Sequence, residues 1–443
     1  MGTGYGRPGE AVGYVDAVTA PVARGPRPAD SRETLVDRDV ALLFATRCLR
    51  MFGYGFLSTV LVLYLTSLGY SGGDIGLLLT LTLLGDAAIS LWLTTHADRI
   101  GRRRVLIAGA GLMLVAGLAF VATPIFAVLA VAATIGVISP SGNEVGPFLA
   151  VEQASLSQLV PATSRTSVFA RYQLVGSFAT AVGALGAGVV AQIAIDRGAA
   201  PSDAYRLVIV GYALVGIVLA VLFTRLGHEI EVPPRDVQDV PIRTRLGLHK
   251  SQRIVLNLSM LFALDAFAGG FVVASFIAFW FQQKFGLDPA ALGLLLFGAN
   301  VLAGLSALAA GPLAARFGLI NTMVFTHLPS NVLLLLVPFM PTVQLAVAVL
   351  LVRFAISQMD VPTRQSYTMA VVDPDERSAA AGVTGVARSL GVSVSPLIAG
   401  PLFLSAAFAG APFVIAGGLK IVYDVLLYRR FQSVRPPEEQ QGG

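Results

Sequence analysis

Charge, cysteine and histidine are all scarce in this chain. Charged residues occupy only 13% of the 443 positions, whereas 55% of the positions are hydrophobic. A soluble protein of this length needs far more polar surface to cover its cores, so the composition indicates an integral membrane protein. The single cysteine, Cys48, excludes an intrachain disulfide.

The sequence also lacks the usual patterns of enzymes and metal sites. Its four histidines are scattered, it has no HExxH pattern or cysteine cluster, and its glycine-rich segments match no phosphate-binding loop. We therefore predict no enzyme, no metal and no cofactor, with a proton gradient rather than ATP as the energy source. The net charge of +5 does not predict nucleic-acid binding, because most arginines lie beside or inside apolar segments.

Apolar runs long enough to cross a membrane, roughly 20 residues each, recur along the chain. The predicted spans are residues 41–68, 74–96, 104–122, 125–150, 165–192, 204–225, 254–283, 289–315, 320–339, 342–366, 377–404 and 407–428. We predict an all-α membrane fold of twelve transmembrane helices in two six-helix bundles. The predicted parts are a disordered tail (1–38), the first bundle (39–226), a linker (227–252), the second bundle (253–430) and a short tail (431–443).

Basic residues are distributed unequally between the two sets of loops. The loops after odd-numbered spans contain only Arg197, Arg206 and Lys284, whereas the tails and the other loops contain most of the rest. Because basic residues near span ends stay on the cytoplasmic side, we predict that both termini are cytoplasmic. We expect a multi-pass monomer in the plasma (inner) membrane.

The loop between spans two and three has a distinctive sequence, Asp98-Arg99-Ile100-Gly101-Arg102-Arg103-Arg104. An aspartate at a helix end beside arginines forms a breakable charge-assisted contact, and a glycine permits a tight turn. The segment resembles the signature loop of the major facilitator superfamily, G-x-x-x-D-R-x-G-R-R-[KR], with Thr94 in place of the first glycine. The resemblance implies a transporter in which this loop latches the two halves while the protein faces outward. The alternative is a basic loop that only anchors the chain.

The second half contains a weaker copy of this loop. Gly311–Gly318 aligns with Thr94–Gly101 and keeps Arg316, which we include in the latch, but has Ala315 at the aspartate position. A second pair of matching segments consists of Gln153, Pro161 and Arg165 in the first half and Gln365, Pro374 and Arg377 in the second. Two parallel six-span repeats are what a facilitator-type architecture requires.

Polar side chains inside the predicted spans are the candidate substrate and coupling residues, because a charge in hydrocarbon usually pairs or lines an aqueous path. They are Arg47, Arg50, Tyr54, Asp86, Asn143, Glu144, Arg171, Asp265, Arg353, Asp360 and Arg388. Arg47, Arg50 and Tyr54 share one helical face, which we expect to point toward a central cavity.

The depths of these residues predict one charge network in each half. Arg50, Asp86 and Glu144 lie at similar depth in the first half, and we expect Asp86 to pair with Arg47 or Arg50. Two interpretations stay open: static ion pairs that fix helix packing, or an acid that titrates during transport. Glu144 is the first candidate for that acid, because prolines and glycines loosen its helix.

In the second half, Asp265, Arg353 and Arg388 lie at a common depth, and Asp265 is the second candidate for coupling. Five arginines against four acids inside the spans favour an anionic or zwitterionic small-molecule substrate. We predict a secondary transporter that exports its solute with proton coupling. An uptake carrier or uniporter of the same fold is one alternative, and a membrane sensor or scaffold without transport is another.

Overall fold

The computed structural model describes residues 2, 31–144, 146–161, 165–231, 248, 250–373 and 376–434. In these residues the chain is helical apart from turns and short irregular segments. Eleven helical stretches are long and apolar enough to cross a membrane, and a shorter apolar helix, Phe126–Ile135, begins the remaining predicted span. The predicted all-α membrane fold is thus confirmed.

The α-helices of the described residues are α1 (Ser31–Ser67), α2 (Gly72–Ile100), α3 (Arg102–Ala122), α4 (Phe126–Ile135), α5 (Phe148–Leu159), α6 (Arg165–Asp196), α7 (Pro201–Thr224), α8 (Gln252–Gly270), α9 (Ala274–Phe285), α10 (Pro289–Phe317), α11 (Leu319–Leu336), α12 (Val343–Ser357), α13 (Asp360–Ala370), α14 (Arg377–Leu404) and α15 (Ala411–Phe431). Spans four, seven and ten each consist of two helices.

The first helix begins earlier than predicted. Residues 31–38 belong to α1 rather than to a disordered tail. The carboxylate of Asp39 accepts the Gly227 N–H at 3.0 Å, and the Arg38 guanidinium donates to the Arg225 carbonyl at 3.1 Å. These contacts hold the start of α1 against the end of α7. The predicted C-terminal tail beyond Val434 and most of the linker lie outside the described residues.

We call the side at which α1 begins and α15 ends the tail side, and the opposite side the far side. At the tail side, α2 turns into α3 at Gly101 and α10 turns into α11 at Gly318. Both glycines have positive φ, 103° and 84°, and both donate their N–H to the carbonyl four residues earlier. The two positions therefore have the same conformation in the two halves, as the repeat predicts.

The two halves pack closely on the far side. A Cβ at Gly72 of α2 would lie 2.6 Å from the Gly400 carbonyl oxygen of α14, and one at Gly188 of α6 would lie 2.9 Å from the Gly293 Cα of α10. In the tail-side parts of α10 and α14, a Cβ would meet no atom within 4 Å at Gly311, Gly382 and Gly385. The halves are therefore in close backbone contact on the far side.

Candidate functional site

The fourth span is interrupted between α4 and α5, where the described residues 136–144, 146 and 147 form a non-helical segment. Its sequence accounts for the interruption, because Pro140 has no N–H to donate, and Gly142 and Gly146 have φ of 71° and 79°. A non-helical backbone at membrane depth is tolerated only where protein or water satisfies its polar groups.

Side chains of neighbouring helices supply those partners. The Tyr212 hydroxyl donates to the Val137 carbonyl, and Ser275 donates its N–H and hydroxyl to the Pro140 carbonyl at 3.2 and 2.6 Å. The Ser275 hydroxyl also lies 2.8 Å from the Ser58 carbonyl oxygen. Because Ser275 begins α9 of the second half, it links the two halves near mid-depth.

Glu144, in this irregular segment, joins two arginines of α1. Its carboxylate accepts from Arg47 Nη1 at 2.6 Å and from Arg50 Nε at 2.9 Å. Both arginines are buried, whereas the Glu144 side chain is 14% exposed. The remaining Arg47 donors bind the Tyr172 carbonyl and the Gln173 side chain, both at 2.8 Å. Spans one and four thus share the predicted charge network, and span five takes part in it.

Glu152 of α5 is a member of this cluster that the sequence did not reveal. Its carboxylate accepts two hydrogen bonds from Arg50, at 2.7 and 2.6 Å, and further ones from the Tyr172 hydroxyl and from Thr46 at 3.2 Å. Glu152 itself is fully buried. Helix α5 continues span four beyond the break, so Glu152, two residues beyond the predicted end of the span, lies inside the protein.

The predicted pair between Asp86 and Arg47 or Arg50 is wrong. The Asp86 carboxylate instead accepts from the Gly146 N–H at 2.6 Å and from the Ser90 hydroxyl at 3.3 Å. Glu144 and Glu152 already occupy the arginines, which leaves Asp86 to bind the backbone of the irregular segment. The shared face of Arg47, Arg50 and Tyr54 is also buried rather than open to a cavity.

The second half contains a larger cluster around Asp265 of α8. Its carboxylate lies 2.5 Å from Lys420 Nζ, 3.2 Å from Arg364 Nη1 and 3.3 Å from Arg388 Nη1. The same Arg364 nitrogen binds Asp360 at 2.8 Å. The predicted contact between Asp265 and Arg388 is thus present, while Arg364 and Lys420 were not among the predicted residues.

Arg353 does not join this cluster by direct contact, contrary to prediction. It is buried, its guanidinium lies 4.7 Å from the centre of the Phe354 ring, and its Nε has no hydrogen-bond partner among the described residues. The Phe354 ring packs against the face of the guanidinium, and this contact keeps Arg353 apart from the carboxylates.

A buried histidine extends the second cluster. His327 Nδ1 lies 2.8 Å from Asp424, its Nε2 lies 3.9 Å from Asp265, and Asn331 donates to Asp424 at 2.8 Å. Asp424 and Lys420 lie one helical turn apart in the last span. This spacing indicates a shared helix face but does not identify the residues that they contact.

The two clusters are related by the internal repeat. The alignment of Gln153 with Gln365 places Glu152 of α5 opposite Arg364 of α13. The first half pairs Arg50 of its first span with Glu152, and the second half pairs Asp265 of its first span with Arg364. The same link between corresponding spans is therefore present with its charges exchanged.

Three candidate residues have the most exposed side chains of the set. The Arg388 side chain is 35% exposed, and Arg171 and Asn143 are exposed. Arg388 lies eleven residues from the start of α14, about 16 Å into the membrane at 1.5 Å per residue. A charged side chain at such depth normally faces a bundle interior or water-filled space rather than lipid. This depth favours a bundle interior or water-filled space around Arg388.

The predicted latch loop makes its described contacts with the first half and with the start of the linker. The backbone N–H groups of Arg102 and Arg103 donate to the Glu231 carboxylate at 2.8 and 3.1 Å, and Arg102 also binds Gln158 at 3.1 Å. Glu231 thus caps the start of α3, which the sequence did not predict. Arg99 is exposed, and the side chain of Asp98 lies outside the described part of the chain.

Arg316, the predicted counterpart in the second half, is exposed, and its guanidinium lies 5.3 Å from the centre of the Phe317 ring. Among the described side chains, no contact joins this loop to the one around Gly101. The latch function therefore stays a prediction.

Known proteins resemble this chain over most of its length. An uncharacterized membrane protein of Saccharomyces cerevisiae is 30% identical over 426 residues, which cover 90% of this chain and 95% of that protein.

Solved transporter structures share the fold. The bacterial homologue of the human lysosomal transporter Spinster, inward-facing and occupied, has a TM-score of 0.69 at 15% identity, covering 90% of this chain and 98% of its own. The nucleoside transporter NupG has a TM-score of 0.66 at 15% identity, covering 90% and 99%. The xylose transporter XylE from E. coli has a TM-score of 0.66 at 14% identity, covering 88% and 96%.

The family model described as Major Facilitator Superfamily matches residues 43–396 and 258–443. These matches include both six-span halves and both charged clusters. The repeated glycine turns and the twelve-span architecture agree with them, and the chain belongs to the major facilitator superfamily of membrane transporters.

Proposed function

We propose that the protein exports a small zwitterionic or anionic solute in exchange for protons, by alternating access. The observation that carries the proposal is the pair of partly exposed charges of opposite sign, one in each half: Glu144 and Arg388. A zwitterion places its cationic group at Glu144 and its anionic group at Arg388. Such a ligand contacts both halves, as alternating access about a central site requires.

The charges of the second cluster favour a ligand with an anionic group. The buried or partly buried cations in this cluster and beside it are Arg353, Arg364, Arg388 and Lys420, of which Arg353 makes no direct contact with the carboxylates, and the acids are Asp265, Asp360 and Asp424. Four cations against three acids leave one positive charge over, and Arg388 is its most exposed member. In the first half, the charges of Arg47 and Arg50 are balanced by Glu144 and Glu152.

Proton exchange follows from competition at Glu144. A proton and the cationic group of a zwitterion both neutralise this carboxylate, so binding of one displaces the other, which is the requirement for antiport. Glu144 is thus proposed as the residue that couples solute transport to proton transport. Asp265, which contacts three cations, is the second candidate for this role.

A second candidate function follows from the same arginines. An anion that replaces Glu144 on Arg47 and Arg50 would leave that carboxylate free to take up a proton. The anion and the proton would then move together, as in proton-coupled uptake. The direction of substrate-induced proton flux separates the two functions.

The experiment uses the purified protein in vesicles with an imposed pH gradient, after a thermal-shift screen of amino acids, carboxylates and sugars has identified a ligand. We expect Glu144→Gln to abolish gradient-driven accumulation while solute exchange continues. The matched control is Asp86→Asn, which keeps an acceptor for the Gly146 N–H and should leave accumulation intact. A Glu144→Gln protein that still accumulates solute excludes Glu144 as the coupling residue.

We further propose that the tail side is cytoplasmic and that the membrane is the plasma (inner) membrane, with the protein as a monomer. Exposed arginines on the tail side support this orientation, among them Arg99, Arg253, Arg429 and Arg430.

A further inference from the structure

A cavity of about 470 Å³ lies at the tail-side ends of α8 and α15, away from both charged clusters. Its lining residues are Arg253, Ile254, Asn257, Arg430, Phe431 and Val434. Among the described residues that line it, the polar ones are two arginines and an amide, and none is a carboxylate. Within the described part of the chain, neither arginine takes part in an ion pair.

Two arginines that share one cavity repel each other, and an anion between them relieves that repulsion. Arginine is well suited to this because its planar guanidinium binds phosphate oxygens through two parallel hydrogen bonds. The Asn257 side-chain amide adds a further donor. The polar part of the cavity therefore fits a phosphate group.

The surface beside the cavity is apolar and open. On α8, Leu256 and Met260 follow Arg253 at three and seven positions, on the same face of the helix, and are 41% and 61% exposed. On α15, Val422 and Val425 are 47% and 37% exposed. In a membrane-spanning bundle, exposed apolar side chains of this kind face lipid. The cavity is thus next to apolar, lipid-facing surface on α8.

We propose that this cavity binds the phosphate headgroup of an anionic phospholipid on the tail-side leaflet. The phosphate lies between Arg253 and Arg430, and an acyl chain lies along Leu256 and Met260 of α8. The charge of the headgroup supplies the attraction, and the apolar surface next to it distinguishes a lipid from a soluble phosphate. This inference does not depend on the transported solute or on proton coupling.

The test is native mass spectrometry of the full-length protein mixed with phosphatidylglycerol or phosphatidylcholine in detergent micelles. We expect the protein to retain phosphatidylglycerol in preference to phosphatidylcholine. Arg253→Gln and Arg430→Gln should each weaken that retention about fivefold, because a basic residue near the membrane surface contributes about 1 kcal/mol. Arg429→Gln, an exposed neighbour outside the cavity, is the matched control and should change retention little.

Two results would overturn the proposal. If Arg429→Gln weakens retention as much as Arg430→Gln, the attraction is diffuse surface charge rather than a site. If millimolar inorganic phosphate displaces the lipid from the wild-type protein, the cavity binds free phosphate. Met260→Gln adds an independent arm, since it should lower lipid retention without unfolding the protein, and unchanged retention contradicts the acyl-chain contact.

Discussion

At the scale of single residues, Glu152 is the carboxylate most completely enclosed by partners in the first half. It is fully buried and neutralises Arg50, which is buried as well. Glu152→Gln leaves that arginine with Glu144 as its only acidic partner. Breaking a buried ion pair costs about 3 kcal/mol or more. We expect a markedly lower thermal unfolding temperature in detergent.

Asp86→Asn is the control for this prediction, because Asp86 has no ion pair among the described residues and the asparagine oxygen still accepts the Gly146 N–H. We expect its unfolding temperature to stay close to that of the wild type. Equal losses for the two variants would show that burial of a carboxylate, rather than the pair with Arg50, determines stability.

Sequence reasoning found charged residues by their depth but not all of their partners. Depth along a span places Glu144 and Arg50 in one layer, and they are in contact. It does not fix the rotation of one helix against another, which decides that Arg50 binds Glu152 and that Asp86 binds a backbone amide. Lys420 and Arg364 lie inside predicted spans, so the criterion of charge within a span applied to them too, but only the structure shows that they contact Asp265.

At the scale of helices, the caps at the tail side are set by acidic residues distant in sequence. Glu231 accepts from the first two N–H groups of α3, and Glu376 accepts from the Lys250 and Ser251 N–H groups at the start of α8, both at 2.8 Å. A negative charge at a helix N-terminus stabilises the helix through its unpaired N–H groups and its dipole.

Glu231→Gln tests this capping. The amide keeps one acceptor oxygen but loses the charge, so we expect the free energy of unfolding to fall by about 1 kcal/mol. Thermal unfolding of the purified protein measures the change. Asp203→Asn provides the comparison, because its exposed pair with Arg206 at 3.7 Å should contribute little. A Glu231→Gln protein as stable as Asp203→Asn would contradict the cap.

The positions of helices could be predicted from the sequence where the apolar runs are uninterrupted. The breaks within spans could not be predicted. Hydrophobic length identifies α3 and α7 within a few residues, because the thickness of the membrane sets it. The prolines and glycines of residues 136–147 predicted a loosened helix in span four. Only tertiary partners such as Ser275 and Tyr212 make a full break stable, and no local pattern reveals them.

At the scale of the whole molecule, the proposed orientation can be tested by cysteine labelling in a Cys48→Ser background. Ala200→Cys lies on the far side and Gln432→Cys on the tail side, both at exposed positions. A membrane-impermeant maleimide added outside intact cells should label Ala200→Cys only. Labelling of Gln432→Cys instead would reverse the orientation. Gly72 is unsuitable for labelling, because a side chain there meets Gly400.

Alternating access requires the far-side contact between the halves to open, and glycines permit its closure. A Cβ at Gly400 would lie 2.8 Å from the Gly76 backbone nitrogen. Gly400→Val should therefore disfavour the observed state. Overpacking typically costs about 1–3 kcal/mol, and 1.4 kcal/mol corresponds to a tenfold change in a population ratio.

The population shift can be read at Asn143→Cys, an exposed position in the irregular segment, in the Cys48→Ser background. In the observed state an impermeant reagent should reach this cysteine from the tail side. We expect Gly400→Val to raise its labelling rate from the far side about tenfold and to lower it from the tail side. Gly385→Val, where a Cβ meets no atom within 4 Å, is the matched control and should change neither rate. Equal labelling of the Gly400→Val and Gly385→Val proteins from both sides would mean that the contact between α2 and α14 does not control access to the site.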